Sequence, residues 1–307
     1  MIWHILGAGS LGCLWAARLT QRGFNTQLVL RSQASLNRYL ELGAQLRFQG
    51  FQQDTAQSIS IPAQLADELQ PITNLILACK AYDAVSAIQS IQHRLAQDCQ
   101  LFLLQNGMGS QQRIQSELPT CRVMAASTTE GAFSTKPFHC THAGQGTTLI
   151  GDLGEKQLPS FALKLWQRAH IDCQWSDDIW AALWRKLAIN CMVNPLTVLH
   201  QCKNGELLQH TNRLATLADE LAELLSAQGY PCDSSEIFAL AQQVIQNTAQ
   251  NTSSMLQDVQ ARRRTEISFI TGFALEQSRL ADTRHTVLQQ LHEQLQQHLF
   301  ALDLPVD

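Results

Sequence analysis

The chain begins Met1-Ile2-Trp3-His4-Ile5-Leu6-Gly7-Ala8-Gly9-Ser10-Leu11-Gly12, an apolar run that leads directly into a G-x-G-x-x-G motif. A helical pattern follows over Leu14–Leu19 and stops near Gly23, and a second apolar run covers Thr26–Leu30. Strand, glycine motif, helix and strand in this order form the dinucleotide-binding unit, in which N–H groups at the helix N-terminus bind the pyrophosphate. We therefore predict an α/β Rossmann-type domain with a parallel sheet, in which the cofactor-binding loop consists of Gly7, Ala8, Gly9, Ser10, Leu11 and Gly12.

Each glycine of this loop is expected to meet a different requirement. Gly7 makes the tight turn after the strand, and Gly9 lets the backbone approach the pyrophosphate. Gly12 allows the helix to pack closely on the strand. The motif alone is weak evidence, and its position between two strands at the start of the chain is what makes the prediction strong.

The end of the second strand indicates which dinucleotide is bound. An NAD site carries Asp or Glu about 20 residues after the motif, where the carboxylate binds the ribose hydroxyls. Here the strand ends in Leu30-Arg31-Ser32, without a carboxylate. The Arg31 guanidinium would pair with a 2′-phosphate, and Ser32 would add a hydroxyl group. NADP(H) is therefore the predicted cofactor, and the alternative is that Arg31 is an ordinary solvated loop residue.

Two further polar residues come directly after predicted strands. Lys80 follows the strand Leu75–Cys79, and Asn106 lies just beyond the strand Leu101–Leu104. Open α/β sheets bind ligands at the carboxyl ends of their strands, so we predict that both residues lie at the cofactor. The alternatives are a surface charge for Lys80 and a purely structural turn for Asn106-Gly107-Met108-Gly109.

The alternation of strands and helices stops after Ser176-Asp177-Asp178. Before that point, Leu36–Pro62 predicts a helix and two short strands, and Thr128–Gly151 predicts antiparallel strands that complete the domain. Asp177 or Asp178 is a plausible N-cap for the next helix. Further helices are predicted at residues 205–228, 234–250, 252–280 and 284–300. We therefore predict an NADP-binding domain over residues 1–176 and an all-α substrate and catalytic domain over residues 177–307.

The segment Leu183–Asn194 predicts a helix that is apolar on nearly every side and hence buried. Lys186, Asn190 and Asn194 nevertheless recur at every fourth residue, which places one ammonium and two carboxamides along a single stripe. Buried groups of these kinds are costly unless they are paired or line a wet cavity. The pattern favours a donor-lined site for an oxygen-rich substrate. The alternative is a lysine that reaches solvent and two amides that loop carbonyls satisfy.

The predicted helix over residues 252–280 carries a second polar set. Four residues fall near one face, Asn251, Ser254, Asp258 and Glu266. The consecutive arginines at 262–264 point in different directions, so at least one is expected to pair with Asp258 or Glu266. The alternative is a solvated, salt-bridged face, which is the commoner outcome for a charge-rich helix.

The composition excludes several classes of function. A formal net charge of −4 gives no general attraction to nucleic acid or anionic lipid, and no apolar run approaches the ~20 residues that span a bilayer. The nine cysteines lack a C-x-x-C pair and the ten histidines lack an H-x-x-x-H pair, so no metal site is expected. Free thiols and the absence of a signal-peptide pattern favour the cytoplasm. A monomer and a homodimer are both compatible with the sequence.

Several strings taken together carry a family resemblance over almost the whole chain. They are Gly7–Gly12, Asn106–Gly109, Leu183–Thr197, Asn204-Gly205-Glu206, and Ser253–Asp258 with Thr265-Glu266-Ile267. Together they resemble the ketopantoate reductase family, the NADPH-dependent 2-dehydropantoate 2-reductases of pantothenate biosynthesis. The lysine-helix string and the S-S-M-L-Q-D…T-E-I string are specific to this family, whereas the glycine motif is not.

The resemblance implies a role for each site residue. Lys186 would be the general acid that protonates the ketone oxygen, and Glu266 would bind the substrate hydroxyl. Ser254 with Asn190 and Asn194 would hold the carboxylate end of the substrate. The remaining positions that the resemblance implies are Asn106 at the nicotinamide, Arg31 and Lys80 at the cofactor, and Asn204 and Asn251 at polar substrate-side positions of less specific role.

The reaction that the resemblance implies is reduction of 2-dehydropantoate to pantoate by NADPH. The alternatives are a related reductase of another small 2-oxo acid and a non-catalytic NADP(H) sensor. Two segments depart from the family pattern. Ser268-Phe269-Ile270-Thr271-Gly272 replaces D-x-I-N-G, and Ser278–Arg284 is shorter than the usual G-x-x-x-P-x-N loop and has neither Gly nor Pro. These departures concern domain packing and partner contacts more than the reaction.

Overall fold

The apolar run after Met1 forms strand β1 (Ile2–Leu6) in the computed structural model, which describes residues 1–155, 159–168 and 170–307. The described residues divide into two units. Unit 1 contains Met1–Gln105 and Ser110–Trp180, and unit 2 contains Asn106–Gly109 and Ala181–Asp307. The predicted boundary at residue 176 lies close to the end of unit 1, whereas Asn106–Gly109 belongs with the helical unit.

Unit 1 has an α/β architecture. After β1, its elements in the described residues are α1 (Ser10–Gln21), β2 (Asn25–Leu30), α2 (Gln33–Glu41), β3 (Gln45–Gln49), β4 (Gln57–Ser60), β5 (Ala63–Leu65), β6 (Ile72–Leu77), α3 (Ala81–Ile91), β7 (Leu95–Leu103), α4 (Ser110–Glu117), β8 (Arg122–Thr128), β9 (Gly131–Phe133), β10 (His139–Gly144), β11 (Thr148–Asp152), α5 (Phe161–Arg168) and β12 (Cys173–Trp175). The main sheet has the order β12-β11-β8-β7-β6-β1-β2-β5, and only the β8–β11 pair is antiparallel. The predicted Rossmann-type domain with a parallel sheet is confirmed.

A smaller sheet has the order β4-β3-β10-β9. Its outer pairs are antiparallel, whereas β10 pairs with β3 in parallel. The helix and two strands predicted for Leu36–Pro62 therefore correspond to α2, β3 and β4. The antiparallel strands predicted for Thr128–Gly151 are present, since β9 pairs with β10 and β11 pairs with β8 in antiparallel orientation. In addition, β10 pairs in parallel with β3, from outside this segment.

The core of unit 1 fixes the helix that follows the glycine loop. Trp166 of α5 lies among three aromatic rings, with centroid distances of 4.7 Å to Trp3, 4.8 Å to Trp15 and 4.7 Å to Phe102. Trp3 and Phe102 belong to the sheet and Trp15 to α1, and all four side chains are buried. Aromatic packing of this kind contributes beyond the area buried and holds α1 on the sheet.

The glycine loop shows which glycines the protein's own packing requires. Gly7 has a φ of +104°, and a Cβ there would lie 2.6 Å from the backbone nitrogen of Cys79. A Cβ on Gly12 would overlap the carbonyl oxygen of Gly7. A Cβ on Gly9, by contrast, would meet only the Ala78 carbonyl oxygen, at 3.8 Å, which is an ordinary contact. The folded chain therefore needs Gly7 and Gly12, while the space beside Gly9 is open.

In the described residues after β12, unit 2 is helical. Its elements are α6 (Ile179–His200), α7 (Thr211–Ala227), α8 (Ser234–Asn247), α9 (Ser254–Gln260), α10 (Thr271–Leu280) and α11 (Thr286–Ala301), with 3₁₀ turns at Asn204–His210 and Ile267–Phe269. Helix α6 begins directly after Asp178, and the apolar side chains along Leu183–Val193 are buried, as predicted for this helix. The all-α architecture of this half is confirmed.

The prediction of one continuous helix over residues 252–280 is wrong. Helix α9 ends at Gln260 because Arg262 has a φ of +54° and the Arg263 N–H turns back to the Asp258 carbonyl at 2.8 Å. The Arg263 guanidinium also pairs with the Asp258 carboxylate at 3.0 Å, which confirms the expected ion pair. Glu266 lies beyond this break, so it does not share a helical face with Ser254 and Asp258.

Side-chain hydrogen bonds hold the two segments that depart from the family pattern and the helix that follows them. In the short connection before α11, the Ser278 hydroxyl donates to the Thr283 carbonyl at 2.9 Å. The Glu220 carboxylate accepts the N–H groups of Val287 and Leu288, both at 2.8 Å, and so satisfies the first turn of α11. In the other segment, the Thr271 hydroxyl lies 2.7 Å from His292 Nδ1.

Three general findings concern the whole of the described chain. All nine cysteines are free thiols. Within residues 1–155, 159–168 and 170–307, no helix is long and apolar enough to cross a membrane. In the same residues, no group of three or more His, Cys, Asp or Glu side chains is arranged to hold a metal ion.

Replacing Gly12 and Gly9 by alanine should show which of the two glycines the fold requires. Gly12→Ala should lower the free energy of unfolding by about 1–3 kcal/mol, because the new methyl group overlaps backbone that cannot move aside. The matched control Gly9→Ala should change it by at most about 0.5 kcal/mol, since its φ is −78° and its surroundings are open. Urea unfolding measures the free energy of unfolding of both variants. Equal losses of stability would contradict the conclusion that the fold requires Gly12 but not Gly9.

Candidate active site

The glycine loop leaves the N-terminus of α1 accessible. Gly9 is the N-cap residue and is exposed, and no side chain caps the helix there. Ala8, Ser10 and Leu11 are half-buried around it, and Ser10 donates to the Ser134 hydroxyl at 3.3 Å. Uncapped N–H groups at a helix N-terminus favour an anion, and the space that a side chain on Gly9 would fill is free. The loop therefore fits the pyrophosphate of a dinucleotide.

Arg31 lies at the carboxyl end of β2, the strand next to β1. The side chain is exposed, and in the described residues it has no hydrogen bond or ion pair. Ser32 is the N-cap of α2, where its hydroxyl oxygen accepts the Ser35 N–H at 3.2 Å. The Arg31 guanidinium is thus available to an external anion, and Ser32 can still donate its own hydroxyl proton.

Lys80 lies at the end of β6, on the other side of β1. It is half-buried and is the N-cap residue of α3. The Ala78 N–H donates to the Leu6 carbonyl at 2.9 Å, which joins this strand end to the start of the glycine loop. The Gln105 amide donates to the carbonyls of Leu77, at 2.9 Å, and Cys79, at 3.3 Å. Sequence analysis did not single out Gln105; its only sequence signal is a polar residue directly after the predicted strand Leu101–Leu104.

Helix α6 presents the predicted stripe of Lys186, Asn190 and Asn194. Asn194 is buried, whereas Lys186 and Asn190 are half-buried. Burial lowers the pKa of Lys186 to about 8, and the negative charge of Glu266 acts in the opposite direction and raises it. An ammonium with this pKa gives up its proton far more readily than an exposed lysine, which is what a general acid at neutral pH requires.

Glu266 is buried in the turn before the 3₁₀ segment Ile267–Phe269. The Phe269 N–H donates to the Glu266 carbonyl at 3.1 Å, and the Met108 N–H donates to the Phe269 carbonyl at 2.8 Å. Gly107 makes this approach possible, since its φ is +73° and a Cβ would overlap the Phe269 carbonyl. The segment that contains Asn106 is therefore fastened to the turn that carries Glu266, a link with no signal in the sequence pattern.

Ser254 is the exposed first residue of α9, and Ser253 caps the helix by accepting the Leu256 N–H at 3.1 Å. Asn204 and Asn251 are neighbours, because the Asn204 N–H donates to the Asn251 carbonyl at 3.0 Å. The Asn204 amide nitrogen donates to the Thr248 hydroxyl at 2.8 Å, while its buried oxygen has no partner in the described residues. Asn251 itself is exposed. Asn204 thus fastens the segment that contains Thr248 and Asn251, in addition to any contact it makes with a ligand.

Sequence comparison identifies the family. The family profile "Ketopantoate reductase PanE/ApbA" matches residues 3–155, and the profile "Ketopantoate reductase PanE/ApbA C terminal" matches residues 178–298. The chain belongs to the ketopantoate reductase family. The 2-dehydropantoate 2-reductase of Salmonella typhi is 34% identical over 283 residues, which are 90% of this chain and 88% of that protein. The enzyme of the same name from Vibrio cholerae is 34% identical over 301 residues, 95% of this chain and 97% of that protein.

Solved structures show the same fold. A D-mandelate dehydrogenase in complex with NADH and anilino(oxo)acetate superposes with a TM-score of 0.91 at 22% identity, covering 99% of this chain and 100% of that chain. Ketopantoate reductases are NADP-dependent oxidoreductases, and as a member of their family this protein is an oxidoreductase. The expected family and enzyme class are confirmed.

The pH dependence of the reaction that this oxidoreductase catalyses should report the ionisation of Lys186. The value of kcat/KM for reduction should fall as the pH rises through about 8, because the neutral amine cannot donate a proton. Glu266→Gln should move this fall to lower pH, since it removes the charge that raises the pKa of Lys186. The exposed Glu276→Gln on α10 is the control and should leave the profile in place. A rate that stays constant across about pH 7 to 9 would contradict the assignment.

Proposed function

We propose that the protein reduces 2-dehydropantoate (ketopantoate) to pantoate with NADPH, a step of pantothenate biosynthesis. The observation that carries the proposal is the desolvated Lys186 ammonium under the influence of the Glu266 carboxylate. Lys186 is a proton donor, and the buried Glu266 is an acceptor that suits a substrate hydroxyl. The curated relatives at 34% identity are 2-dehydropantoate 2-reductases, and their names support this choice of substrate.

The cofactor site of the proposal uses unit 1. The loop Gly7–Gly12 would hold the pyrophosphate over the open side of Gly9, and Arg31 would bind the 2′-phosphate that distinguishes NADPH from NADH. Lys80 would add positive charge at the adjacent strand end, and Asn106 would lie at the nicotinamide. When bound, NADPH supplies the hydride that is added to the carbonyl carbon.

Lys186 stabilises the product of that addition. Negative charge develops on the carbonyl oxygen, and the ammonium neutralises it and then donates its proton. A pKa of about 8 keeps much of the lysine protonated at neutral pH and makes the proton transfer favourable. Regeneration of the ammonium by water completes the cycle for this residue.

The remaining residues distinguish the two ends of the substrate. Glu266 is an acceptor and would bind the hydroxyl group, which ketopantoate has and simpler 2-oxo acids lack. Asn190, Asn194 and Ser254 are donors and would hold the carboxylate. A site built to bind a hydroxyl rejects an analogue without it, because the buried carboxylate then loses that hydrogen bond without water to replace it.

The free thiols support a reducing compartment, and we propose the cytoplasm. Cys13, Cys140, Cys173 and Cys191 are buried, and burial raises the pKa of each thiol well above neutral pH. Such thiols stay protonated and unreactive, so they serve as small apolar side chains of the core.

The substrate and the acid are tested together by following NADPH oxidation. Ketopantoate should be reduced faster than 2-oxoisovalerate, pyruvate and benzoylformate, which lack the hydroxyl group. Lys186→Ala should lower kcat by roughly 10²–10⁴-fold, the usual contribution of a positioned acid. The neighbouring exposed Arg185→Ala is the matched control on α6 and should keep turnover near normal. Equal rates on all four acids would reject ketopantoate as the substrate, and an active Lys186→Ala enzyme would reject the mechanism.

Arg31 should determine cofactor choice. Arg31→Ala should raise the KM for NADPH by about tenfold or more, because a charge-assisted pair with the 2′-phosphate is lost. The KM for NADH, which has no 2′-phosphate, should change little. Arg22→Ala removes another exposed arginine at the far end of α1 and serves as the control. Equal effects of Arg31→Ala on the two cofactors would show that Arg31 does not bind the phosphate.

A further inference from the structure

Asn194 occupies a weak point of α6. Pro195 follows it inside the helix and has no N–H, so the carbonyl of Cys191 loses its usual donor. A residue before proline is also biased away from helical geometry by steric contact with the ring. The backbone around Asn194 therefore lacks one of the hydrogen bonds of a regular helix.

Two buried hydroxyl groups form a series of hydrogen bonds beside this part of α6. The Thr197 hydroxyl donates to the Asn194 carbonyl at 2.8 Å, and its oxygen lies 2.6 Å from the Ser253 hydroxyl oxygen. Ser253 in turn accepts the Leu256 N–H at 3.1 Å as the N-cap of α9. Thr197 is 0% exposed and Ser253 is 6% exposed, so water does not readily replace these bonds.

One arrangement of protons satisfies all of these hydrogen bonds. The single proton of Thr197 is used on the Asn194 carbonyl, so Thr197 must accept at its oxygen. Ser253 therefore donates its proton to Thr197 while its own oxygen accepts from Leu256. The resulting relay runs from the Leu256 amide through Ser253 and Thr197 to the Asn194 carbonyl, and it joins α9 to α6.

We propose that Thr197 and Ser253 are positioning residues that set the separation of Asn194 and Ser254. This inference rests on the proposed function, in which those two residues hold the substrate carboxylate. Ser254 follows Ser253 directly and is exposed at the start of α9, so the cap that fixes Ser253 also fixes Ser254. Neither Thr197 nor Ser253 touches the substrate in this account. They act by keeping Asn194 and Ser254 at a fixed distance from each other.

The relay predicts a specific kinetic effect of Thr197→Val. This change keeps a similar shape but removes the hydroxyl that accepts the Ser253 proton and donates to the Asn194 carbonyl. The KM for the 2-oxo acid should rise by about tenfold, the factor that corresponds to about 1.4 kcal/mol. The KM for NADPH and kcat should change by less than about threefold, because neither cofactor binding nor Lys186 depends on the relay. Thr197→Ser retains the hydroxyl group and should restore the KM.

The control is Thr216→Val on α7. Thr216 is exposed and also donates its hydroxyl to a backbone carbonyl within its helix, that of Asn212 at 3.1 Å, so it matches the chemical change without the relay. It should leave every kinetic constant unchanged. If Thr197→Val lowered thermal stability but left the KM for the 2-oxo acid unchanged, Thr197 would be merely structural and the proposal would be overturned.

A second measurement does not depend on the identity of the substrate. In a double-mutant cycle on the free energy of unfolding, Thr197→Val and Ser253→Ala should be non-additive, because both remove the same hydrogen bond. Hydrogen exchange of the Leu256 amide should be faster in Thr197→Val than in the wild-type protein. The KM is measured with whichever 2-oxo acid the wild-type enzyme reduces fastest, so an enzyme that fails on ketopantoate still tests the relay. Additive effects and unchanged exchange would reject it.

Discussion

The desolvated ammonium of Lys186 is the constraint on which the proposed active site depends. A charge among apolar side chains is unfavourable unless another charge compensates it, and Glu266 supplies that compensation. The balance leaves Lys186 with a pKa of about 8, between that of an exposed lysine and that of an uncompensated buried one. Desolvation of the lysine lowers this pKa and the charge of the buried Glu266 raises it, so both contribute to the value.

Hydrogen bonds between segments that are remote in sequence hold the predicted site residues of unit 2. The Met108 amide is fastened to Phe269 beside Glu266, and Asn204 is fastened to Asn251. The hydroxyl groups of Thr197 and Ser253 join the helices that carry Asn194 and Ser254. Groups that act on one small substrate need positions accurate to about half an ångström, and satisfied buried hydrogen bonds, together with packing, provide that accuracy.

Sequence patterns predicted much of this organisation and failed at an identifiable place. The strand, glycine motif and helix at the N-terminus have local signals, since a φ of +104° at Gly7 and close packing at Gly12 each demand glycine. The break between α9 and α10 has no such signal. Arg262 adopts a left-handed conformation without being Gly or Asn, so helical periodicity continued through it and placed Glu266 on the wrong face.

By itself, the sequence determined the class of each half, the dinucleotide loop and the stripe of Lys186, Asn190 and Asn194, because all of these follow from the spacing of residues within one element. Only the tertiary structure decided that Glu266 tunes the pKa of Lys186. It also decided that Asn106 belongs with the helical unit and that Thr197 meets Ser253. The physical reason is that charge interactions and side-chain hydrogen bonds act over a few ångströms in space, whereas periodicity reports only neighbours along the chain.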